Sequence, residues 1–416
     1  MDKISIIMAN YCGEAYVEAA IASVLRQTHQ NFELLVADDA SPDGSVARIS
    51  AMARQDPRVI LIQADKNGGA ARARNRALDQ ATGDWVAIID SDDLIHPERL
   101  ARMLAAAQNH DVQLVADDLL FFSDKPSGAG RTLLESKQLT AAWRIGLAEM
   151  LGSEDPAQDL PQLGYLKMLI SRKLIGDLRY DESLAVAEDF DFYVRLMLHG
   201  AQCLILPDPM YLYRRHSGSL SYRLSVEALQ GMLVAHEALL RASDFDTALS
   251  ASFARRKGAL LSALEYQKLV QDLKERRIRA GLYRLMRRPT LLKRLAVSLF
   301  ENRQRRHAET TSKTHIAYRI GPNLEGNASV AVEMPPPAGD AWTTPPARTA
   351  ARLSALAAAY DLDLEVQGFA GLWALWLIPF WSRAKLDLTA SDMSAAGTIA
   401  PNGVEYAEAV NVLGHL

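Results

Sequence analysis

The stretch with the clearest chemical character runs from Trp85 to Asp93 and reads Trp-Val-Ala-Ile-Ile-Asp-Ser-Asp-Asp. Its first five residues are apolar and predict a strand that is buried on both faces. Three carboxylates follow at the carboxyl end of that strand, the end at which open α/β sheets bind ligands. On an extended backbone, Asp90 and Asp92 would project to one side and Asp93 to the other. Carboxylates this close need a cation or strong donors, and hard oxygen ligands suit Mg²⁺ or Mn²⁺, which would in turn hold a diphosphate.

The same acidic stretch allows a simpler interpretation. It can be a solvated turn that caps the helix predicted to begin near Pro97 and Glu98. Two aspartates separated by one residue are common by chance, so this motif alone does not distinguish a metal site from a cap.

The elements that must position these carboxylates alternate between strands and helices over about the first 110 residues, which implies βαβ units and a mostly parallel sheet. The first helix shows the spacing of an amphipathic stripe from Val17 to Leu25. The predicted strands are Ile4–Met8, Phe32–Ala37, Val59–Gln63, the strand from Trp85, Val112–Ala116, Tyr165–Ser171 and Cys203–Leu206. The region Ser123–Leu160, with a short helical piece around Ala141–Met150, is either an acceptor-binding lid or an ordinary surface insertion.

Composition sets the outer bounds of the interpretation. The chain has 416 residues, enough for more than one domain, and a formal net charge of −4, which predicts no nucleic-acid partner. Its two cysteines, Cys12 and Cys203, lie far apart and suggest neither a disulfide framework nor a thiolate metal site. No apolar run reaches the roughly 18 to 20 residues needed to span a bilayer. We therefore expect a cytoplasmic protein, at most peripheral on the inner face of the membrane.

Residues 2 to about 223 resemble the family 2 glycosyltransferases, which are inverting enzymes with the GT-A fold, a Rossmann-like mixed sheet flanked by helices. The resemblance depends on the order of several motifs rather than on any one of them. These are Asn10-Tyr11 after the first strand, the turn Asp38-Asp39-x-Ser, the run Asn67 to Asn75, the lead-in Ala81 to Trp85, the cluster Asp-Ser-Asp-Asp, the pair Glu188-Asp189, and the tail Tyr-Arg-x-His-x-x-Ser-x-Ser from Tyr213. The sequence departs from the family after the first strand, where Met8 to Cys12 replaces the usual Pro and Tyr-Asn.

The resemblance implies roles for individual residues on the donor side. The nucleotide-sugar pocket would comprise Ala9, Tyr11, Glu14, Asp39, Lys66, Arg74, Asp90, Ser91 and Asp92. Asp39 would accept a hydrogen bond from the uracil N–H, with Asp38 as the structural member of the pair. Arg74 would lie near the base or diphosphate, unless it only forms a salt bridge on a solvated helix face. The Mn²⁺ or Mg²⁺ ligands would be Asp92, Asp90 and His216, although a histidine in a tail can also be an ordinary surface residue.

On the acceptor side, the resemblance implies that Asp189 is the general base and that Glu188 orients the site. Both residues open a helix, where the macrodipole favours ionised carboxylates. The alternative is a helix that begins with ordinary acidic first-turn residues. Asp191, two positions on, is expected to point away from the site.

These assignments predict a metal-dependent inverting glycosyltransferase. The donor would be a nucleotide-diphosphate sugar, with a UDP-sugar expected, and the acceptor a hydroxyl of a glycan or lipid-linked molecule in exopolysaccharide or cell-surface polysaccharide synthesis. Two alternatives stay open: a sugar-nucleotide nucleotidyltransferase and a non-catalytic nucleotide-sugar-binding protein.

Beyond the catalytic domain, expected at 1–223, the chain carries a helical, basic amphipathic extension at 224–308 and an accessory region at 309–416. From Asp272 to His307 there are twelve Lys or Arg against three carboxylates, interleaved with leucines. This pattern predicts either contact with an anionic membrane or a helical hairpin with a solvated basic face. The accessory region has predicted strands at His315–Ile320 and Ala328–Val332 and an alanine-rich helix at Arg348–Tyr360.

Overall fold

The fold is taken from a computed structural model that describes residues 2–123, 132–155, 157–215, 224–242, 245–292 and 295, with the backbone of four further strands. The strands are β1 Ile4–Asn10, β2 Phe32–Asp38, β3 Val59–Gln63, β4 Trp85–Ile88, β5 Leu94–Ile95, β6 Leu114–Ser123, β7 Trp143–Ile145, β8 Leu169–Ser171, β9 Cys203–Arg215, β10 His315–Ile320, β11 Ser329–Glu333, β12 Leu362–Gln367 and β13 Arg383–Asp387. The helices are α1 Val17–Leu25, α2 Ser45–Gln55, α3 Ala70–Gln80, α4 Arg99–His110, α5 Leu147–Gly152, α6 Arg172–Ile175, α7 Glu188–Met197, α8 Val226–Ala242, α9 Thr247–Lys274 and α10 Ile278–Arg287.

The main sheet has the order β3-β2-β1-β4-β8-β6-β9-β5, and β7 pairs with β9. The first four strands are parallel, and the pairing turns antiparallel on both sides of β8. Helix α3 packs on β1 and β2, and α4 packs on β6. The predicted mixed sheet flanked by helices is confirmed, and its parallel half places the carboxyl ends of β1, β2 and β4 at one edge.

Apolar sequence explains the position of β4. Residues 86–89 are fully buried between β1 and β8, as the five-residue apolar run predicts. The first three predicted strands and the helices between them are confirmed within a few residues of their predicted bounds.

Four predicted elements in the second half of the sheet were wrong in extent or type. The predicted strand Val112–Ala116 is β6, which continues to Ser123. Strand β9 continues to Arg215, because it pairs in parallel with the long strand β6. The register of this pairing shifts around Pro207 and Pro209, which have no backbone N–H to donate to the neighbouring strand. Residues 143–145, predicted as part of a helical piece, form strand β7 against β9. The predicted strand Tyr165–Ser171 is reduced to β8 and follows a 3-10 turn. Long-range pairing overrides local propensity in each case.

A second sheet with the order β11-β10-β12-β13 lies in the accessory region. It confirms the two strands predicted there, with β11 displaced by one residue. The predicted helix Arg348–Tyr360 lies outside the described residues.

Helices α8 and α9 lie in the region predicted to be a helical extension, and Arg256 of α9 connects them to the α/β part of the chain. Its Nε donates to Glu154 Oε2 (2.7 Å), and its Nη1 lies 2.8 Å from His236 Nδ1 on α8. The guanidinium also stacks 4.4 Å above the ring of Phe190 in α7. The extension therefore contacts the same helix that begins with Glu188 and Asp189.

The buried His236 predicts a pH-dependent stability. Burial, followed by the charges of Arg256 and Lys257, lowers the pKa of His236 to about 4. In the unfolded chain the pKa of histidine is about 6.5. At pH values between about 6.5 and 4 the unfolded chain therefore binds more protons than the folded protein, and stability is lost as the pH falls through this range. We expect this residue to contribute a loss of about 3 kcal/mol in the free energy of unfolding between pH 7 and pH 4.

Urea unfolding of wild type and His236→Asn at both pH values checks this contribution. The asparagine oxygen can replace Nδ1 as an acceptor for Arg256, but it does not titrate. Other titrating groups are common to both proteins and cancel in the difference. Equal pH dependence in the two proteins would contradict the assignment.

Candidate functional site

The acidic cluster is a turn rather than the continuation of a strand. Strand β4 ends at Ile88, and the N–H of Asp93 donates to the carbonyl of Asp90 (3.2 Å). Carboxylate oxygens of Asp90, Asp92 and Asp93 lie within 4.8 Å of one another. The prediction that Asp93 projects to the opposite side was therefore wrong, because side chains alternate only on an extended backbone.

Asp93 connects this turn to strand β9. Its Oδ2 accepts a hydrogen bond from the hydroxyl of Tyr211 (2.7 Å), and its Oδ1 accepts one from the N–H of Arg214 (2.6 Å). The guanidinium of Arg214 donates to the carbonyl of Asp92 (2.8 Å). Burial, with added repulsion from Asp92 and Asp90, raises the pKa of Asp93 well above its usual value. Asp93 is thus the buried member of the cluster, while Asp90 and Asp92 are only partly covered.

Two buried cations lie beside the turn. Arg74 Nη2 donates to Asp90 Oδ1 (2.7 Å), and Lys167 Nζ lies 2.8 Å from Asp90 Oδ2. Burial opposes ionisation of Asp90, but the attraction of Lys167 and Arg74 outweighs it and holds the pKa of Asp90 well below its usual range. Arg74 is buried, so the alternative of a salt bridge on a solvated helix face was wrong.

The same two cations hold the acidic pair that opens α7. Lys167 Nζ donates to Asp189 Oδ2 (2.6 Å), and Arg74 Nη2 lies 3.5 Å from the same oxygen. Arg74 also donates to Glu188, whose pKa burial raises. Asp189 Oδ1 is buried and has no hydrogen-bond partner within the described part of the chain. One oxygen of Asp189 is therefore held by two cations, and the other has no partner among the described residues.

Lys167 is the member of this ion-pair cluster that was not predicted from the sequence. It interrupts the run Leu166-Lys-Met-Leu-Ile170, whose other members are fully buried, and a lysine in such a run is itself a signal because unpaired lysine is seldom buried. Burial lowers the pKa of Lys167, but Asp189 and Asp90 outweigh burial and raise it well above its usual value. Its carbonyl accepts a hydrogen bond from Arg99 (2.5 Å), which in turn is paired with buried Asp117 (2.7 Å). The lysine thus keeps its charge in a rigid, buried position.

Asp191, in contrast, points away from this cluster as expected. Its Oδ2 accepts a hydrogen bond from Arg195 Nε one turn later on α7 (2.7 Å).

The predicted uracil-binding residue Asp39 supports the loop before α3. Its Oδ2 accepts hydrogen bonds from the N–H groups of Gly68 and Gly69 (2.8 and 2.7 Å), and its Oδ1 accepts one from Arg76 (2.9 Å). A carboxylate has about four acceptor positions, so one on Oδ1 remains for a ligand. Gly69 has φ of 88°, a conformation that favours glycine at this turn.

Asp38 holds the turn that follows β2. Its carboxylate accepts hydrogen bonds from the N–H of Ser41 (2.9 Å), the hydroxyl of Ser41 (2.6 Å) and the amide of Asn10 (2.8 Å).

The other predicted pocket residues lie at or near the same edge of the sheet or outside the described chain. Ala9 is the second-last residue of strand β1, Ser91 is buried in the acidic turn, and Tyr11 is 53% exposed. Glu14 accepts a hydrogen bond from the N–H of Gly44 (3.0 Å). Lys66 is exposed in the loop before α3. His216 lies outside the described residues.

A half-parallel sheet with an acidic turn at its carboxyl edge, facing a carboxylate pair on a separate helix, is the arrangement that the resemblance to GT-A glycosyltransferases predicts. The sequence profile described as Glycosyl transferase family 2 matches residues 5–159. The chain is 30% identical, over 324 residues, to the succinoglycan biosynthesis protein ExoO of Rhizobium meliloti (strain 1021), covering 77% of this chain and 91% of that protein. The chain belongs to glycosyl transferase family 2, which confirms the predicted family.

Two further similarities accompany this membership. The putative teichuronic acid biosynthesis glycosyltransferase TuaG of Bacillus subtilis (strain 168) is 37% identical over 218 residues, covering 52% of this chain and 81% of that protein. The crystal structure of S. aureus TarS 1–349 in complex with UDP-GlcNAc aligns with a TM-score of 0.49 and 24% sequence identity, covering 61% of this chain and 72% of that chain.

Proposed function

We propose that the protein is an inverting glycosyltransferase that moves a sugar from a nucleotide-diphosphate sugar, with a UDP-sugar as the expected donor, to a hydroxyl of a glycan or lipid-linked acceptor. The observation that carries the proposal is the state of Asp189. Its Oδ2 is held by Lys167, while its buried Oδ1 has no partner in the described chain. A protein that only bound a nucleotide sugar would need no such oxygen opposite the acidic turn.

In this reaction Asp189 Oδ1 takes the proton from the acceptor hydroxyl. The acceptor oxygen then forms a bond to the anomeric carbon on the face opposite the diphosphate. The bond from that carbon to the diphosphate breaks, and its electron pair stays on the phosphate oxygen, so the configuration inverts. Lys167 and Arg74 hold Asp189 in place, and Glu188 fixes Arg74 from its other side.

The acidic turn fits a divalent cation by the chemistry of its donors. Three carboxylates with oxygens within 4.8 Å of one another form a set of hard ligands, the kind that Mg²⁺ and Mn²⁺ prefer. Asp93 is held by Tyr211 and by the N–H of Arg214, so we assign Asp92 as the principal ligand, with Asp90 and His216 completing the set. A cation bound there supplies electrostatic stabilisation to the departing diphosphate.

The names of the relatives suggest the biological setting. ExoO is described as acting in succinoglycan biosynthesis and TuaG in teichuronic acid biosynthesis. We infer that this chain acts in exopolysaccharide or cell-surface polysaccharide synthesis. We assign residues 1–223 to the catalytic domain, 224–308 to the helical extension and 309–416 to an accessory region.

The direct test is a screen of UDP- and GDP-sugars for release of the nucleotide diphosphate, with Mn²⁺ and with EDTA. We expect hydrolysis of a UDP-sugar in the presence of Mn²⁺ and its loss in EDTA. Absence of turnover of every donor, with and without an acceptor, would contradict the proposal.

Asp92→Ala provides a specific prediction within the same screen. We expect the affinity for Mn²⁺ in the presence of UDP to fall at least about 10- to 100-fold, because even changes around a metal's ligands cost that much. Calorimetric titration measures the affinity. Asp79→Ala on the exposed side of α3 is the matched control and should behave as wild type. Unchanged metal dependence in Asp92→Ala would show that Asp92 is not a ligand.

A further inference from the structure

Helix α10 has one side fixed against the rest of the extension. Arg284 donates to Asp272 (2.7 Å) and to Glu265 (2.9 Å) on α9. Gly281 faces the same helix, where an added Cβ would lie 3.4 Å from Leu273 and 3.6 Å from Leu269. The rotation of α10 about its own axis is therefore set by an ion-pair cluster and a close helix contact.

The opposite side of α10 is apolar and open. Ile278, Leu282 and Tyr283 are each 54% exposed, and Met286 is 73% exposed. Ile278, Leu282 and Met286 follow the spacing of four residues that places side chains on one face of a helix. Leu292, just beyond the helix, is 57% exposed. Large apolar side chains clustered in this way on a soluble surface mark an interaction site.

Arginines lie beside the exposed apolar residues of α10 and at both ends of the helix. Arg279 and Arg287 lie on the exposed side of α10, and Arg276 and Arg288 flank its two ends. None of these four forms an ion pair within the part of the chain that the structure describes. Over residues 272–292 there are seven Lys or Arg against two carboxylates. We call Ile278, Arg279, Leu282, Tyr283, Met286 and Arg287 the outer face of α10.

We propose that the outer face of α10 binds an anionic membrane surface. In that position Leu282 and Met286 enter the boundary between headgroups and acyl chains, and the arginines meet the lipid phosphates. Arginine stems can lie along the apolar layer while their charged ends reach the headgroups. Among the helices that the structure describes, none combines the length and apolar character that crossing a bilayer requires. The outer face is thus suited to a peripheral contact, within the segment 272–307 for which the sequence predicted one.

A second copy of this chain fits the surface less well. A two-fold contact through the outer face would bring Arg279 and Arg287 close to the same residues of the other copy. Four unpaired guanidinium groups would then repel one another, whereas anionic headgroups neutralise them.

The proposal goes beyond the proposed reaction, and its test needs no substrate. Full-length protein is sedimented with vesicles of phosphatidylcholine, with or without phosphatidylglycerol. We expect binding only to the vesicles that contain phosphatidylglycerol. It should weaken strongly when salt rises from about 0.1 M to 1 M, which shortens the Debye length from about 10 Å to 3 Å.

Two double variants test the two components of the outer face. Arg279→Glu with Arg287→Glu should lower the partition coefficient at least about 25-fold, since each basic residue near an anionic surface contributes about fivefold. Leu282→Glu with Met286→Glu should lower it at least about tenfold, because the apolar insertion is lost. All four side chains are exposed, so neither variant should lower the melting temperature.

Matched controls lie elsewhere on the extension. Val234→Glu on α8 replaces an apolar residue that is 65% exposed, and Arg255→Glu on α9 removes an exposed arginine. Arg255 is about 20 Å along α9 from the contact with α10. Both controls should bind vesicles as wild type does.

Several outcomes would overturn the proposal. Equal binding to neutral and anionic vesicles, or wild-type binding by both double variants, would show that the outer face is not the contact. A shift of the Leu282→Glu/Met286→Glu variant to a smaller species in size-exclusion chromatography would identify a second copy as the occupant. Failure of wild type to bind anionic vesicles would also overturn it, and a lower melting temperature of that variant would then show that the outer face packs within the protein.

Discussion

Asp189→Asn is expected to lower sugar transfer by roughly 10²- to 10⁴-fold, the range that a positioned general base contributes. The substitution keeps the size of the side chain and an oxygen that can still accept a hydrogen bond from Lys167. It removes the ability of the second oxygen to take a proton, and that oxygen has no other partner in the described chain. Donor affinity should stay within a few-fold of wild type, because the acidic turn and the Asp39 loop are unchanged.

Single-turnover transfer at saturating donor, together with calorimetric titration of the donor, separates these two effects. Asp191→Asn is the matched control. It makes the same change of functional group two residues later in α7, at a carboxylate that pairs with Arg195. The control should retain transfer within a few-fold. Full transfer by Asp189→Asn would eliminate this residue as the base.

Lys167→Met is expected to lower both sugar transfer and the free energy of unfolding. After Asp189, which takes the acceptor proton in the proposed reaction, Lys167 is the residue for which we predict the largest effects. The substitution removes the cation that lies 2.8 Å from partly covered Asp90 and 2.6 Å from buried Asp189. Removing one partner of a buried ion pair typically costs about 3–5 kcal/mol. The orientation of Asp189 would also be lost, and we expect transfer to fall at least about 100-fold, since small misplacements of reacting groups have effects of that size.

Urea unfolding and transfer kinetics measure the two losses separately. Lys167→Met with Asp90→Asn should recover part of the stability, because Arg74 then balances one carboxylate fewer, but it should not recover transfer. Lys167→Arg, which keeps the charge, should restore part of kcat. Lys173→Met on the exposed helix α6 is the control for loss of a lysine. A variant Lys167→Met with wild-type kcat would show that the lysine only supports the fold.

The first half of the fold could be predicted from the sequence because its determinants are local. The apolar runs of β1 to β4 and the amphipathic stripes between them show the periods of buried strands and half-buried helices. The acidic turn could be located for the same reason, since it follows directly after a run of five apolar residues. The second half was less predictable, because β7 and the end of β9 depend on pairing with distant strands.

The site itself was predicted as a set of residue types but not as a network of contacts. Local sequence pointed to Asp90 and Asp92, and the order of motifs added Glu188, Asp189, Arg74 and the pocket residues. It left Asp93 on the wrong side, because a turn rather than a strand carries it. It left out Lys167, because a lysine in an apolar run indicates a buried charge but does not show which carboxylates surround it.

What the sequence by itself determined is where charge is placed along the chain and which strands and helices carry it, since these follow from periods of a few residues. Only the tertiary structure decided which charges meet. Arg74 and Glu188 are 114 positions apart, yet they share a hydrogen bond, and Lys167 joins Asp90 of one element to Asp189 of another. A buried ion pair depends on how distant elements pack, and no local pattern encodes that distance.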